Sequence, residues 1–348
     1  MMRGVSIQIH SWAGGCTLRK IGKIRDVAKE AGLSIATVSR VVNGATNVSQ
    51  PTRERVLKAC AKLDYVPNPA ARALSTNKSR TIAAIIPTIE HSVFAKYIAA
   101  IEQALSERNY SLVMAISNAD EIEELKAAKK LLGMGAEAFI LTGAAHSDEL
   151  YNMFERRSVP HVLTSIWDLR NTSATIGYDN TALAAQAVEF LAARGHARIA
   201  VIHGPLAQSD RTQARKTGAL SASQEHPALD FFETTLNVAG GKHAVHKLLR
   251  SGRQYTAILC FSDVLALGTY FALAQAGFRI PDDISVMGFD NLDWSEHVVP
   301  PLTTINLPAR RMGYEVASQL VRHLENSEPI VPTLLSGQII ERRSVHRI

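Results

Sequence analysis

The sequence predicts a chain in two parts, a small all-α headpiece built on a helix-turn-helix and a larger α/β core of parallel sheets covered on both faces. Three observations predict it. Residues 23–63 carry apolar residues at helical spacing, in runs too short to enclose a large core. Beyond residue 80, short apolar runs alternate with segments of helical period, as parallel sheets between helices require. Charge divides at the same place: residues 1–80 hold 14 Lys+Arg and 4 Asp+Glu, a balance of +10, whereas residues 81–348 hold 24 and 28, a balance of −4.

In IRDVAKEAG, Ile24, Val27, Ala28 and Ala31 fall at i, i+3, i+4 and i+7, so a first helix has one apolar face, and Gly32 supplies its left-handed stop. Ser34 caps a second helix, IATVSRVVN, which turns Val38, Val41 and Val42 inward. Gly44 closes it. Ser49 caps a third helix, in which TRERVLKACAKL repeats the apolar spacing at Val56, Leu57, Cys60 and Leu63.

A basic helix-turn-helix points to a polyanion, because each Lys or Arg set on a phosphate releases condensed counterions. In such a unit the second helix lies in the major groove. Ile35 and Ala36, near its start, are expected to make apolar contacts, with a thymine methyl the natural target, and Arg40 to pair bidentately with guanine. Thr37, Ser39 and Asn43 are assigned to phosphates, which fix register without reading sequence. A helical hairpin for protein contact is the competing reading of the same pattern.

The stretch IRDVAKEAGLSIATVSRVVNG, followed by VSQPTRERVLKACAKLDYVPNPAARALS, resembles the headpiece and hinge of the lactose and galactose repressor (LacI/GalR) family. The resemblance runs from about residue 23 to 344. It implies a hinge at residues 67–79, where Pro67 and Pro69 stiffen the lead into AARALS, a segment of about two turns that is too short to persist alone as a helix. In the family this helix forms on operator DNA and a leucine from each protomer wedges into the central minor-groove step; Leu74 matches that leucine, and Ala71 and Arg72 match its groove-facing neighbours. One departure is Lys23, which stands where the family usually has a capping Thr; it cannot accept from the helix N-terminus, a loss of about 1 kcal/mol. Residues 1–22 have no counterpart in the family and read as a flexible arm without assigned function.

In the core, candidate strands are TIAAIIP, YSLVMAIS, AEAFILTG, PHVLTSI, ARIAVIHG, TAILCFSD and ISVMGFD, with helices such as NTALAAQAVEFLAARGH and SDVLALGTYFALAQAGF between them. The resemblance makes this an α/β periplasmic-binding-protein type I core of two doubly wound parallel-sheet subdomains. It places about 80–178 and 306–333 in the first and about 179–305 and 334–344 in the second, with three crossovers. The headpiece then spans 23–66 and the core 80–348.

A ligand of such a core lies between the subdomains, outside the carboxyl ends of the strands. The strand ends present Glu90, His91 and Phe94 after the first strand, Thr142 in FILTG, and Ser165 and Trp167 in LTSIWD. The second half presents Arg215 in RKTG, Ser262 and Asp263 in CFSD, and Asp290 in GFD. The resemblance singles out Arg215 and Asp290, since family members commonly use an arginine and an aspartate there to hold polyols or base edges. Asp263 has a second reading as a cap of the helix that follows it. Ser165 replaces an acid found in some sugar-responsive relatives, and Ala309 an aromatic, so a sugar, a sugar acid and an amine-bearing ligand all stay open.

Other classes fare worse. The sequence has no GxSxG elbow, Walker A loop or GxGxxG after a strand, and HAVH at 243–246 sets two histidines on one helical face without a third ligand. His196 reads as structural. Cys16, Cys60 and Cys260 are odd in number and far apart, which suits free thiols rather than disulfides or zinc. No run reaches the roughly 18 apolar residues of a membrane helix, and the N-terminus lacks the apolar core of a secretory signal, so a cytoplasmic protein is expected. No cofactor or metal is expected. The expected function is a homodimeric operator-binding transcription regulator, a repressor released by a small metabolite such as a sugar or sugar derivative. A dimer follows from the resemblance, because the chain ends without the leucine-repeat tail that some relatives use to form tetramers. The alternative is a non-regulatory sugar-binding protein, or a sugar-processing enzyme with an accessory DNA-binding module.

Overall fold

The computed structural model describes residues 22–45, 47–68, 73, 78–89, 92–168, 171–223 and 227–348. It divides into two compact units, Met1–Ser79 and Arg80–Ile348. The N-terminal arm lies outside the described residues, as does the hinge segment apart from Ala73.

The first unit holds α1 (Ile24–Ala31), α2 (Ile35–Val42) and α3 (Gln50–Lys62). Val27, Val38 and Val56, one from each helix, are fully buried at its centre. Gly32 stops α1 at φ +61, a left-handed conformation that costs an L-residue about 1–2 kcal/mol and glycine little. Ser34 caps α2 by accepting the Thr37 N–H at 3.1 Å. Two sequence expectations change here. The poor cap at Lys23 is compensated, because the Asp26 carboxylate accepts the Lys23 N–H at 2.9 Å and puts a negative charge in the first turn. Leu57 is 54% exposed, since the inward face of α3 is carried by Val56 and Ala59, with Cys60 and Leu63 at its edge.

The second unit is built on two parallel sheets. In the first, β1 (Thr81–Ile86), β2 (Ser111–Ile116), β3 (Ala138–Thr142), β4 (His161–Thr164), β5 (Thr175–Gly177) and β11 (Thr333–Leu334) run in the order β11-β5-β4-β3-β1-β2. The second sheet comprises β6 (Arg198–His203), β7 (Ala228–Glu233), β8 (Ala257–Cys260) and β9 (Ser285–Met287), in the order β7-β6-β8-β9. β10 (Thr304–Asn306) and β12 (Gln338–Ile340) pair antiparallel, and isolated bridges carry β10 alongside the end of β9. The chain therefore passes between the sheets three times, after β5, after β10 and after β11.

Period-two alternation explains the layering. In β1, Ile82 and Ala84 face one cluster, whereas Ala83 and Ile85 face the other. The first face is covered by α4 (Ser92–Ser106) and α11 (Ala309–Asn326), which approach closely at Gly313, where a Cβ would stand 2.6 Å from the Tyr97 carbonyl. The opposite face is covered by α5 (Glu121–Gly133) and α6 (Asp148–Arg157), whose Phe154 ring lies 4.8 Å from that of Phe139. Around the second sheet run α7 (Asn180–Ala192), α8 (Asp210–Ala222), α9 (Val238–Arg250) and α10 (Asp263–Gln275). The reading of apolar runs overlooks the short strands β5, β10, β11 and β12, and β7, an edge strand that is mostly exposed or half-buried and includes Asp230.

Candidate functional site

Two sets of side chains are candidates, one in each unit. In the headpiece, the cap at Ser34 and the three-valine core fix α2 so that Ile35, Ala36, Arg40 and Asn43 are exposed. Ile35, at 45% exposure, is a large apolar side chain left in solvent, and Arg40 is an exposed cation on the same helix. Thr37 and Ser39 are half-buried and already engaged, Thr37 with the Ser34 hydroxyl at 2.9 Å and Ser39 with the Asn43 amide at 3.3 Å. Ala71, Arg72 and Leu74 lie outside the described residues.

In the core, the carboxyl ends of β1, β4, β6, β8 and β9 surround a cleft of about 700 Å³, counting its open mouth. Phe94, Ser165, Arg215, Ser262 and Asp290 line it together. The buried Arg215 donates through Nε to Asn180 Oδ1 at 3.0 Å and through Nη1 to the Phe261 carbonyl at 2.5 Å, with its guanidinium 3.8 Å from the Phe289 ring centre. Burial works against its charge, and Asp290 offsets part of that effect. Asn180 also donates to the Ser165 carbonyl at 2.8 Å, tying the two sides of the cleft to one amide. Ser165 itself sits at φ +64, unusual for a residue with a Cβ.

Asp290 occupies a still rarer conformation, φ +130, held by its N–H to the Ile305 carbonyl and by the Ser262 hydroxyl donating to Oδ2 at 2.9 Å. Such strain costs on the order of 1–3 kcal/mol and persists only where the surroundings impose it. Burial raises the carboxyl to about 7, against the lowering effect of Arg215.

Three of the candidates are placed elsewhere. Asp263 is fully buried beneath the cleft, where its carboxylate accepts the Thr304 hydroxyl at 2.6 Å and the Leu292 N–H at 2.8 Å; the cap of α10 is Ser262. Thr142 opens into a neighbouring polar cavity of about 590 Å³, with a hydroxyl that has no hydrogen-bond partner among the described residues. Trp167 is half-buried and lies outside the lining. Glu90 and His91 are outside the described residues.

The cleft also brings in residues that the sequence reading passed over. Arg211 lies one helical turn before Arg215 on α8, a spacing that already puts both on one face. Tyr178 follows the overlooked strand β5, and Leu307 and Met312 come from the second crossover, after β10. Polar clasps join the walls: the Ala144 N–H donates to Asp210 at 2.6 Å, Arg211 donates to the Thr142 carbonyl at 3.3 Å, and Lys96 pairs with Asp293 at 2.6 Å. His196 binds Thr256 and the His346 carbonyl at 3.0 and 3.1 Å, while His243 and His246 are exposed. Cys60 and Cys260 are free thiols, and burial pushes Cys260 up to about 12. Among the described residues no helix is long and apolar enough to cross a membrane, and no cluster of metal-ligating side chains occurs.

Comparison with known proteins gives concordant matches for both units. Residues 23–68 match the bacterial regulatory proteins of the lacI family, and residues 188–345 match the periplasmic binding protein-like domain. Catabolite control protein A of Priestia megaterium is 33% identical over 88% of this chain and 93% of its own. The Lac repressor dimer bound to operator and the anti-inducer ONPF superposes with a TM-score of 0.84 at 29% identity, covering 94% of this chain and 100% of that one. A complex of the transcriptional regulator CelR with cellobiose superposes at 0.66 and 28% identity, covering 93% and 99%.

Proposed function

The chain belongs to the lacI family of bacterial regulatory proteins, and from that premise we propose how its two units divide the work. It is a DNA-binding transcription regulator under the control of a small molecule. The headpiece reads an operator through Ile35, Ala36 and Arg40, with Thr37, Ser39 and Asn43 on phosphates and the hinge residues Ala71, Arg72 and Leu74 in the minor groove. The effector binds in the core cleft against Arg215, Asp290, Ser262, Ser165 and Phe94. Its binding shifts the balance between two arrangements of the core that differ in operator affinity. We assign it repression relieved by the effector, in the cytoplasm, without enzymatic turnover.

The observation that carries this reading is the exposure of Ile35 and Arg40 on a helix whose inward face is fully occupied. A homodimer is supported by an apolar stretch on the core: the edge strand β2 leaves Met114 and Ile116 43% and 40% exposed, beside Met134 at the end of α5. Two headpieces then match a palindromic site.

Selection of genomic fragments by the purified protein, at rising salt, tests the function. Salt-sensitive retention of a discrete palindromic fragment is expected. Arg215→Ala or Asp290→Ala should keep that binding and lose the effector response. Retention of no fragment under any condition would remove the function; a normal response in both variants would remove the site.

A further inference from the structure

The cleft combines two cations and one acid with hydroxyls that can donate or accept. Among the described residues its charged lining is Arg211, Arg215 and Asp290, and its hydroxyls belong to Ser165, Tyr178, Ser209, Thr212 and Ser262, beside a Tyr97 hydroxyl already bound to Thr164. No Asn, Gln, Glu or Lys lines it among those residues. The rest is apolar, with Phe94, Leu236, Leu307 and Met312 enclosing the space.

The two cations are not equivalent. Arg211 is answered by Asp210 at 2.8 Å. Arg215 donates to the Asn180 amide oxygen and the Phe261 carbonyl, also bonds the Tyr178 hydroxyl and lies on the face of Phe289; Asp290 acts on it through its charge, but no carboxylate among the described residues forms a direct ion pair with it. The cleft's own acid, Asp290, is committed to the Ser262 hydroxyl. Asp290 offsets only part of what burial costs the Arg215 charge, and a ligand that brings a second anion relieves the rest. Every hydroxyl of a neutral sugar donates as well as accepts, and such a ligand brings no charge to answer Arg215. A carboxylate only accepts.

Building on the regulator reading above, we propose that the effector is a small hydroxy acid, its carboxylate paired with Arg215 and a hydroxyl of its compact body held by Asp290 and Ser262. A sugar acid is the carbohydrate form of such a ligand.

The test uses the full chain and ligand pairs that differ only in charge: D-glucuronate against D-glucuronamide, D-gluconate against D-gluconamide, and lactate against lactamide, with D-glucose as a neutral sugar. Calorimetric titration is expected to show at least one acid binding about tenfold or more tightly than its amide, the margin of a hydrogen bond to a charged group. Arg215→Gln should erase that preference and Arg215→Lys should keep part of it. The acid and amide comparison needs no variant, so it decides the matter even if Arg215→Gln fails to fold. Equal or tighter binding of the amides, binding of glucose alone, or no binding of any acid overturns the proposal. Operator retention is measured on the same samples. An operator complex that responds to glucose and to no acid keeps the regulator and removes the hydroxy acid, whereas loss of operator binding itself removes the regulator.

Discussion

Arg40 and Asp290 show how much depends on single side chains. Arg40 is exposed on the outer face of α2, so its loss leaves the headpiece core untouched. Arg40→Ala is expected to cost on the order of 1–3 kcal/mol on the preferred operator and much less on one altered at a single base pair. Equal losses on both would place Arg40 on phosphate. Asp290 and Asp263 are raised by burial to about 7 and about 6. An unfolded Asp releases its proton near 3.9, so between about pH 4 and about pH 7 the folded chain holds protons that the unfolded chain has lost. These two groups therefore stabilise the fold less as pH rises through that window. Asp290→Asn, which cannot ionise, should gain Tm relative to the parent between about pH 5 and about pH 8; a pH-independent difference would contradict the raised carboxyl.

At the scale of elements, α2 rests on its cap and on three inward valines. Ser34→Ala removes the acceptor of the Thr37 N–H and is expected to destabilise the headpiece by about 1 kcal/mol, read by chemical denaturation, with a matching loss of operator affinity. An unchanged denaturation midpoint would mean that the cap is replaced by water. The helices of this unit were legible in the sequence because each carries its own apolar period and stop residue. The exception, Leu57, is a matter of rotation: adjacent residues at a helix edge both satisfy the period, and only the packing against α1 decides which is buried. Strand β7 was illegible for a different reason. As an edge strand it is half-buried, so its pattern lacks the apolar run that marked β1, β3 and β8.

At the scale of the whole molecule, an exposed edge strand with apolar side chains is a liability that association removes. Met114→Glu combined with Ile116→Glu is expected to convert dimers to monomers in sedimentation and to weaken operator binding, because one headpiece then engages one half-site. Dimers that persist would place the interface elsewhere. The clasps at Asp210, Arg211 and Lys96 join the two sheets' sides of the cleft.

By itself the sequence determined the helix-turn-helix, the uneven charge, the alternation that makes parallel sheets and the strand ends that border the cleft, because these depend on neighbours within a turn or a strand. Only the tertiary structure decided the membership of the cleft. Its lining is gathered from residues as far apart as Val93 and Met312, and one step along the chain separates Ser262, which faces the cavity, from Asp263, which is sealed beneath it. That step is invisible to periodicity at the junction of a strand and a helix, where the direction of each side chain is set by contacts with β10 and the loop after β9 rather than by local repeat.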